Sequence, residues 1–268
     1  MSTQGDTIMA GLGYRRDMAD WDARAIAADF FEVAPENWIH RDRHRLHALR
    51  ESGRPLCLHG VSLNLGGHTP LNDGFLDQVR QLMHELDVRH YSDHLAASGD
   101  AHQLHDLFPI PFTLSEARRV SARIRQAQDL LGQRIAIENT TWYTNIGDMD
   151  EVSFLNEVAR QADCQILLDL NNITVNHKNH GGCALADYLS QVDLARVTYL
   201  HVAGHEFDAR FGLYIDTHSQ PVEADTASWA HTLHQRHDLP ILLEWDNDIP
   251  SLERINQELA WLTPSTTM

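Results

Sequence analysis

The sequence predicts a (β/α)₈ barrel, and three observations lead there. The chain has 268 residues, close to the roughly 250 that one such barrel needs. Eight short apolar, β-branched runs alternate with longer segments of helical period, the sequence form of repeated βα units. No Pro/Ser/Gly linker, composition shift, low-complexity stretch or other repeat divides the chain. A single domain over residues 1–268 is expected, with 1–6 as a flexible N-terminal segment.

The expected strands, in order, are the run ending Gly11-Leu12-Gly13, then Phe30–Val33, Leu56–His59 and Arg89–Ser92. Arg134–Glu138, Gln165–Asp169, Val197–His201 and Ile241–Glu244 complete the eight. Helical patterns are clearest in 73–87, 114–131, 150–161, 225–237 and 250–262, and Gly132 stops the second of these. His40, His44 and His47 also stand at helical spacing, in an Arg-rich stretch that reads as a solvated helix face. An open doubly wound sheet is the alternative. It calls for a phosphate loop after the first strand, and Gly11-Leu12-Gly13 lacks the third glycine of that fingerprint.

Composition narrows the function. There are 21 Lys+Arg against 38 Asp+Glu, a formal charge of −17, with 18 His and Lys178 as the single lysine. Such acidity argues against nucleic acid, whose binding is driven by Lys and Arg displacing counterions. No apolar run approaches the roughly 18 residues of a membrane span. The opening Met-Ser-Thr-Gln-Gly-Asp lacks the basic-then-apolar pattern of a secretory signal. Cys57, Cys164 and Cys183 are odd in number and widely spaced, so no disulfide framework is indicated. A cytoplasmic, reduced setting is expected.

In a barrel of this kind the chemistry sits at the C-terminal ends of the strands. From the third strand onward those ends read His59, His94 (just past its strand), Glu138, Asp169, His201 and Glu244. The loop after the seventh adds Asp216 and His218, and Asn172 stands three residues beyond Asp169. One histidine at a strand end is more often a hydrogen-bonded structural residue than a ligand. Six in succession all point into one mouth, where four carboxylates without countercharge would repel one another. Metal ions resolve that repulsion. Four His, four carboxylates and one Asn exceed the roughly four ligands of a single tetrahedral ion, so two or three ions are expected, bridged by a carboxylate such as Glu138. Imidazole and carboxylate without thiolate suit Fe, Mn or Zn, and spacing does not choose among them.

Beside these ligands, His177, His180 and His205 are expected in loops rimming the mouth, with His177 and His205 as candidates for catalytic proton transfer or ligand orientation. Glu32, Glu36 and Asn37 follow the second strand, and Asn139 and Asn171 adjoin ligands. Arg15 and Arg16 could meet a peptide carboxylate or form surface ion pairs. The stretch from His94 to Thr113, with His102 and His105, reads as a substrate-covering loop. Cys183 is expected to be an inert thiol.

The ligand order His, His, Glu, Asp-x-x-Asn, His, Asp-x-His, Glu resembles the trinuclear site of endonuclease IV and, more distantly, xylose-isomerase-like barrels. Asn172 departs from it, since the endonuclease pattern has a His there, and an amide is a weaker ligand for the third ion. A second resemblance covers almost the whole chain. It rests on Gly11-Leu12-Gly13-Tyr14-Arg15, Phe31–Asn37, His59-Gly60-Val61-Ser62-Leu63, Ser92-Asp93-His94-Leu95, Leu107–Thr113 and Ile137-Glu138-Asn139. It continues through Leu168–Asn172, His177–Gly181, His201–His205, Asp216-Thr217-His218 and Leu243–Asp248. Together these are similar to the multinuclear non-heme iron-dependent oxidative enzymes, which include MbnB of the methanobactin pathway and TglH of the thiaglutamate pathway.

That resemblance implies an O₂-dependent oxidase with two or three irons in mixed Fe(II)/Fe(III) states, acting on a cysteine of a ribosomally made precursor peptide. The outcome would be an oxazolone-thioamide or thiooxazole, or excision of the cysteine β-carbon. By position, His59, His94 and Glu138 would bind the first iron, with Glu138 bridging. Asp169, His201 and Glu244 would complete the second, and Asn172, Asp216 and His218 the third. The substrate thiolate would be a further iron ligand, and many members need a small partner protein that presents the leader. Two other classes remain open from the residues: a zinc phosphodiesterase of the endonuclease IV type, against which the charge and the single lysine count, and a metal-storage or delivery protein.

Overall fold

The computed structural model describes residues 10–99, 107–144 and 146–263. The expected flexible segment 1–6 and the histidines His102 and His105 lie outside the described residues.

β1 (Ala10–Gly13) and β2 (Phe30–Val33) lead to α1 (His44–Glu51), β3 (Leu56–Gly60), α2 (Asp73–Leu86) and β4 (Tyr91–His94). Then come α3 (Leu114–Leu131), β5 (Ala136–Glu138), α4 (Glu151–Ala162), β6 (Gln165–Asp169), α5 (Leu170–His180) and α6 (Leu185–Leu189). β7 (Val197–Val202), a hairpin of β8 (Glu206–Asp208) and β9 (Leu213–Ile215), α7 (Ala224–His237), β10 (Ile241–Leu243) and α8 (Leu252–Leu262) finish the chain. Eight strands close in the order β1-β10-β7-β6-β5-β4-β3-β2, and every pairing is parallel. This is the expected barrel, with all eight strands where the apolar runs put them. His94 lies inside its strand rather than just past it.

The helices begin where short polar side chains can take the free N–H groups of a first turn. Asn72 caps α2, Thr113 caps α3 with Glu116 three residues on, and Asp150 caps α4. α3 and α5 end on Gly132 and Gly181, at φ of 73° and 63°, the left-handed conformation that glycine adopts without steric cost.

Strand alternation builds the barrel interior in two layers. Phe30, Cys57, Ala136, Leu167, Tyr199 and Leu242 form a separate buried cluster, the floor. Two residues further along each strand stand Glu32, His59, Glu138, Asp169, His201 and Glu244. One period of the pleat therefore converts an apolar plug into a ring of polar groups. Gly11 keeps that floor intact, because a Cβ there would lie 2.3 Å from the Phe30 ring. Register sets neighbours within the ring: His94 pairs with Glu138, and Asp169 with His201.

Two features depart from the sequence reading. The stretch holding His177 and His180 is helix, α5, which starts immediately after β6 with no loop between. The segment after β7 forms the β8–β9 hairpin, which Asn179 of α5 ties down by exchanging hydrogen bonds of 2.8 Å with the Tyr214 backbone. No helix among the described residues is long and apolar enough to cross a membrane.

Candidate metal centre

The mouth above the polar ring is a cavity of about 550 Å³ whose wall includes His59, His94, Glu138, Asn172, Asp216, His218 and Glu244. Glu138 is the hub. Its Oε2 lies 3.1 Å from both His59 Nε2 and His94 Nε2, and its Oε1 3.3 Å from His201 Nδ1. His201 Nδ1 is also 3.1 Å from Glu244 Oε2 and 3.9 Å from Asp169 Oδ2. His218 approaches Glu244 Oε2 at 3.3 Å through Nδ1 and Asp216 Oδ1 at 2.7 Å through Nε2.

The donors fall into groups that could each hold an ion: His59, His94 and Glu138; then Glu138, Asp169, His201 and Glu244; then His218, Glu244 and Asp246. Glu138 and Glu244 each belong to two groups. A pair of shared carboxylates is what neighbouring cations require, because each brings negative charge to both.

Whether metal suits these residues is tested by their unmet hydrogen bonds. His59 Nε2, Glu138 Oε2, Asp169 Oδ2, His201 Nδ1 and His218 Nε2 are buried with no hydrogen-bond partner among the described residues. A buried polar atom without a partner costs about 1–3 kcal/mol, and four of these, on His59, Glu138, Asp169 and His201, belong to the first two donor groups, which share Glu138. The far side of each ring explains which nitrogen is free. His94 Nδ1 is 3.0 Å from the Gly60 carbonyl and His201 Nε2 2.9 Å from Glu32 Oε2. Carbonyls and carboxylates only accept, so in a ring with one proton those nitrogens carry it and the inward ones have lone pairs to offer, the usual arrangement of metal-binding histidine. The residues fit a cluster of cations.

Without cations the groups titrate against one another. Burial alone would lower His59, but the Glu138 and Glu32 carboxylates hold it up at about 9. Burial likewise opposes charge on His201 and His218, and their carboxylate neighbours override it. Burial would raise Glu138, yet His94 and His59 hold it below the usual carboxylate range. Asp169 is raised by burial and by Glu138 and Asp216.

Local folding explains the aim of each group. Asp169 ends β6 and caps α5 at once: Oδ1 accepts from Asn172 N at 2.6 Å, leaving Oδ2 facing the centre. The cap puts Asn172 on the first helical turn, over the cavity. Its amide is spoken for on both ends, with Oδ1 accepting from the Thr141 hydroxyl at 2.5 Å and Nδ2 donating to the Asn139 carbonyl at 3.0 Å. The hairpin delivers Asp216 and His218. His218 has a φ of 47°, a conformation uncommon for a non-glycine residue, and Asp246 N holds its carbonyl at 2.8 Å.

The two candidate catalytic histidines do not line the cavity among the described residues. His177 is on α5, with Nδ1 2.9 Å from the Gly182 carbonyl. His205 is buried behind Asp216: its Nδ1 is 2.7 Å from Asn171 Oδ1, and Asn171 Nδ2 donates to Asp216 Oδ1 at 2.6 Å. Lys178 closes this chain from outside, 2.8 Å from His205 Nε2 and 2.6 Å from Glu223. His180 stacks on Trp142 at 4.0 Å. Asn37 is on the cavity wall, while Glu36 Oε1 accepts from Val61 N and Ser62 N at 2.9 Å each, anchoring the loop after His59. Asn139 exchanges two hydrogen bonds of 2.9 Å with the Asp169 backbone. Arg15 forks onto Glu244 and Asp246 instead of lying on the surface. Cys57, Cys164 and Cys183 are unpaired; burial pushes the thiols of Cys57 and Cys164 up to about 12 and also raises that of Cys183.

Sequence reasoning missed Asp246, Thr141, Ser92 and Tyr199. Asp246 had a signal, since it continues the alternation two residues past Glu244. Ser92 and Tyr199 had one as well, each two residues before a site histidine. Thr141 had none.

Fold and site together define an eight-stranded parallel barrel with a histidine–carboxylate mouth. Solved structures of that architecture include 3-keto-D-glucoside 4-epimerase from E. coli, with a TM-score of 0.66 at 13% identity over 95% of this chain and 98% of that one. Endonuclease IV from Thermus thermophilus matches with a TM-score of 0.58 at 18% identity, over 94% and 99%. At such identities the likeness is one of fold. Residues 9–265 match the family described as RiPP precursor modification enzyme MbnB/TglH/ChrH, and the chain belongs to that family. Similar chains include a UPF0276 protein of Neisseria gonorrhoeae, 42% identical over 94% of this chain and 92% of that one. A UPF0276 protein of Pseudomonas aeruginosa is 40% identical over 93% and 89%.

Proposed function

We propose that this chain is a multinuclear non-heme iron enzyme that uses O₂ to oxidise a cysteine of a precursor peptide. The observation that carries the reading is the set of buried, unpartnered donor atoms on His59, Glu138, Asp169, His201 and His218 at the mouth of the barrel, joined to membership of a precursor-modifying family. His59, His94 and Glu138 would hold one ion, Glu138, Asp169, His201 and Glu244 a second, and Asn172, Asp216 and His218 a third. Iron rather than zinc follows from the reaction, because zinc has no redox chemistry and would leave cysteine oxidation without an electron acceptor. Bound iron would supply one-electron chemistry with O₂ and a soft ligand position for the substrate thiolate.

The chain's own residues do the rest. No thiol of the protein enters the donor set, which leaves sulfur ligation to the substrate. Val61, Leu107 and Ile215 give the cavity apolar wall, against which a cysteine side chain is desolvated. Arg15 neutralises part of the Glu244 and Asp246 charge, and Thr141 holds the Asn172 amide. His205, acting through Asn171, orients Asp216 without reaching the reacting atoms, and no role in the reaction is assigned to His177. The same reading takes the barrel as a single cytoplasmic domain working with a small leader-binding protein.

The test is oxygen uptake by anaerobically prepared protein, followed by mass spectrometry of the peptide. Uptake that requires a cysteine-bearing precursor, with a mass change at that cysteine, supports the reading. Oxygen-independent cleavage of abasic DNA by a zinc form would replace it with a phosphodiesterase.

A further inference from the structure

Glu32 lies deep in the barrel, and beyond accepting from His201 Nε2 and lending its charge to His59 it has no role in the reading above. It is fully buried, as are His201 and Ser92 nearly so, and Tyr199 and His59 are at most 5% exposed. A carboxylate there needs a reason, since burying charge without partners is costly. Its Oε2 receives two donors, Tyr199 OH at 2.6 Å and His201 Nε2 at 2.9 Å. Tyr199 OH is in turn 3.2 Å from Ser92 Oγ, and Ser92 Oγ is 2.9 Å from His59 Nδ1.

The proton positions along this chain follow from its end. A carboxylate only accepts, so Tyr199 gives its hydrogen to Glu32, and the single Ser92 hydrogen goes either to the Tyr199 oxygen at 3.2 Å, the nearer, or to the Leu58 carbonyl at 3.4 Å. Either way the Ser92 oxygen accepts from His59 Nδ1–H. With the nearer acceptor the run is His59 Nδ1–H to Ser92, Ser92 to Tyr199, Tyr199 to Glu32, with His201 Nε2–H arriving from the other side. Each histidine is left with its other nitrogen bare, and those two atoms, His59 Nε2 and His201 Nδ1, are both without partners in the donor set.

We propose that Glu32 is a positioning residue that fixes the tautomers of His59 and His201 together, presenting one lone pair to each of two metal ions. The inference rests on the metal-centre reading and adds to it a single buried acceptor serving two ions from beneath. An apolar side chain in its place, as in Glu32→Leu, removes the one oxygen on which both donors converge, and a histidine then free to accept at its outer nitrogen would carry a proton on the inner one, where a metal could not bind. Outer partners of this kind are typically worth about 10–100-fold in metal affinity.

The experiment is an anaerobic titration of chelator-stripped full chain with Co(II), followed by its visible d–d absorption and by metal analysis after desalting. His59→Ala and His201→Ala assign the binding phases to the two ions. Glu32→Leu is expected to loosen both phases by about 10–100-fold, with circular dichroism and the thermal midpoint as folding controls. Tyr199→Phe and Ser92→Ala cut only the His59 arm, so each is expected to loosen the His59 phase and leave the His201 phase in place; they also decide the matter if Glu32→Leu does not fold. Wild-type affinity in Glu32→Leu, or equal loosening of both phases in Tyr199→Phe, overturns the proposal while the metal centre stands. Failure of the wild-type chain to take up any metal overturns both.

Discussion

Glu138 and His201 face each other with Oε1 3.3 Å from Nδ1, while the second Glu138 oxygen is turned to His59 and His94 at 3.1 Å. One carboxylate thus reaches histidines on β3, β4 and β7. Glu138→Ala should therefore remove more than one ion, whereas Asp216→Ala should remove one. Metal content per chain, measured beside the thermal midpoint, checks this; loss of a single ion from Glu138→Ala would refute bridging.

Metal uptake should release protons. His59 is held at about 9 once its carboxylate neighbours override burial, and His201 and His218 are also raised. At pH 7 these rings are charged in the metal-free chain, and ligation at their inward nitrogens must displace protons. Apparent metal affinity should rise as pH climbs from about 6.5 toward 9. The metal-free fold moves the other way, because a histidine with a raised pKa gives its full stability below its unfolded value and loses it as pH rises through the folded one. Indicator-dye titration in weak buffer reads the protons directly. Uptake with no release at pH 7 would show that the rings were already neutral.

The alternation along each strand made the site legible. From Phe30-x-Glu32, Cys57-x-His59 and Tyr199-x-His201 onward, a two-residue period turns floor into mouth, so a list of strand ends picked out the residues that the barrel gathers there. What failed to show was anything set by chain reversal rather than by period. α5 begins on Asp169 itself, and a cap that is also a strand end leaves no loop signal between the two elements. The β8–β9 hairpin has strands of three residues, too short for alternation to register, and its Asn179 anchor comes from a different element. The order of Thr141, Asn172 and Asp216 around the third position depends on those two segments, which is why Thr141 stayed hidden.

Glu151 offers a test away from the metals. It accepts from Trp142 Nε1 at 2.9 Å, Asn176 Nδ2 at 3.0 Å and Tyr188 OH at 3.2 Å, and burial pushes its carboxyl up to about 7 despite those bonds. An acid with a raised pKa binds its proton more tightly when folded, so its contribution is greatest below about pH 4.5 and is lost as pH rises to about 7. Glu151→Gln keeps an acceptor for Trp142 and Asn176 and removes the charge. It should stabilise the fold above pH 7 by on the order of 2 kcal/mol, allowing for partial solvent exposure, and by little at pH 4.5. Urea midpoints at the two pH values decide; equal effects at both would sink the argument.

The third position should be the weakest. Asn172 offers a neutral amide already engaged by Thr141 and Asn139, so a graded chelator challenge should strip one ion first. Asn172→His should slow that loss at least about tenfold, the effect of roughly 1.4 kcal/mol in binding. Metal analysis at each chelator step reads the order, and simultaneous loss of all ions would contradict it.

Whether the strand-end ring holds a cluster of iron is decided by Mössbauer spectroscopy of ⁵⁷Fe-grown, anaerobically purified protein. Two to three irons per chain are expected, with ferrous and ferric signals together and both lost in Glu138→Ala. Stoichiometric zinc with full peptide-modifying activity, or iron present only as a single mononuclear species, would contradict the cluster.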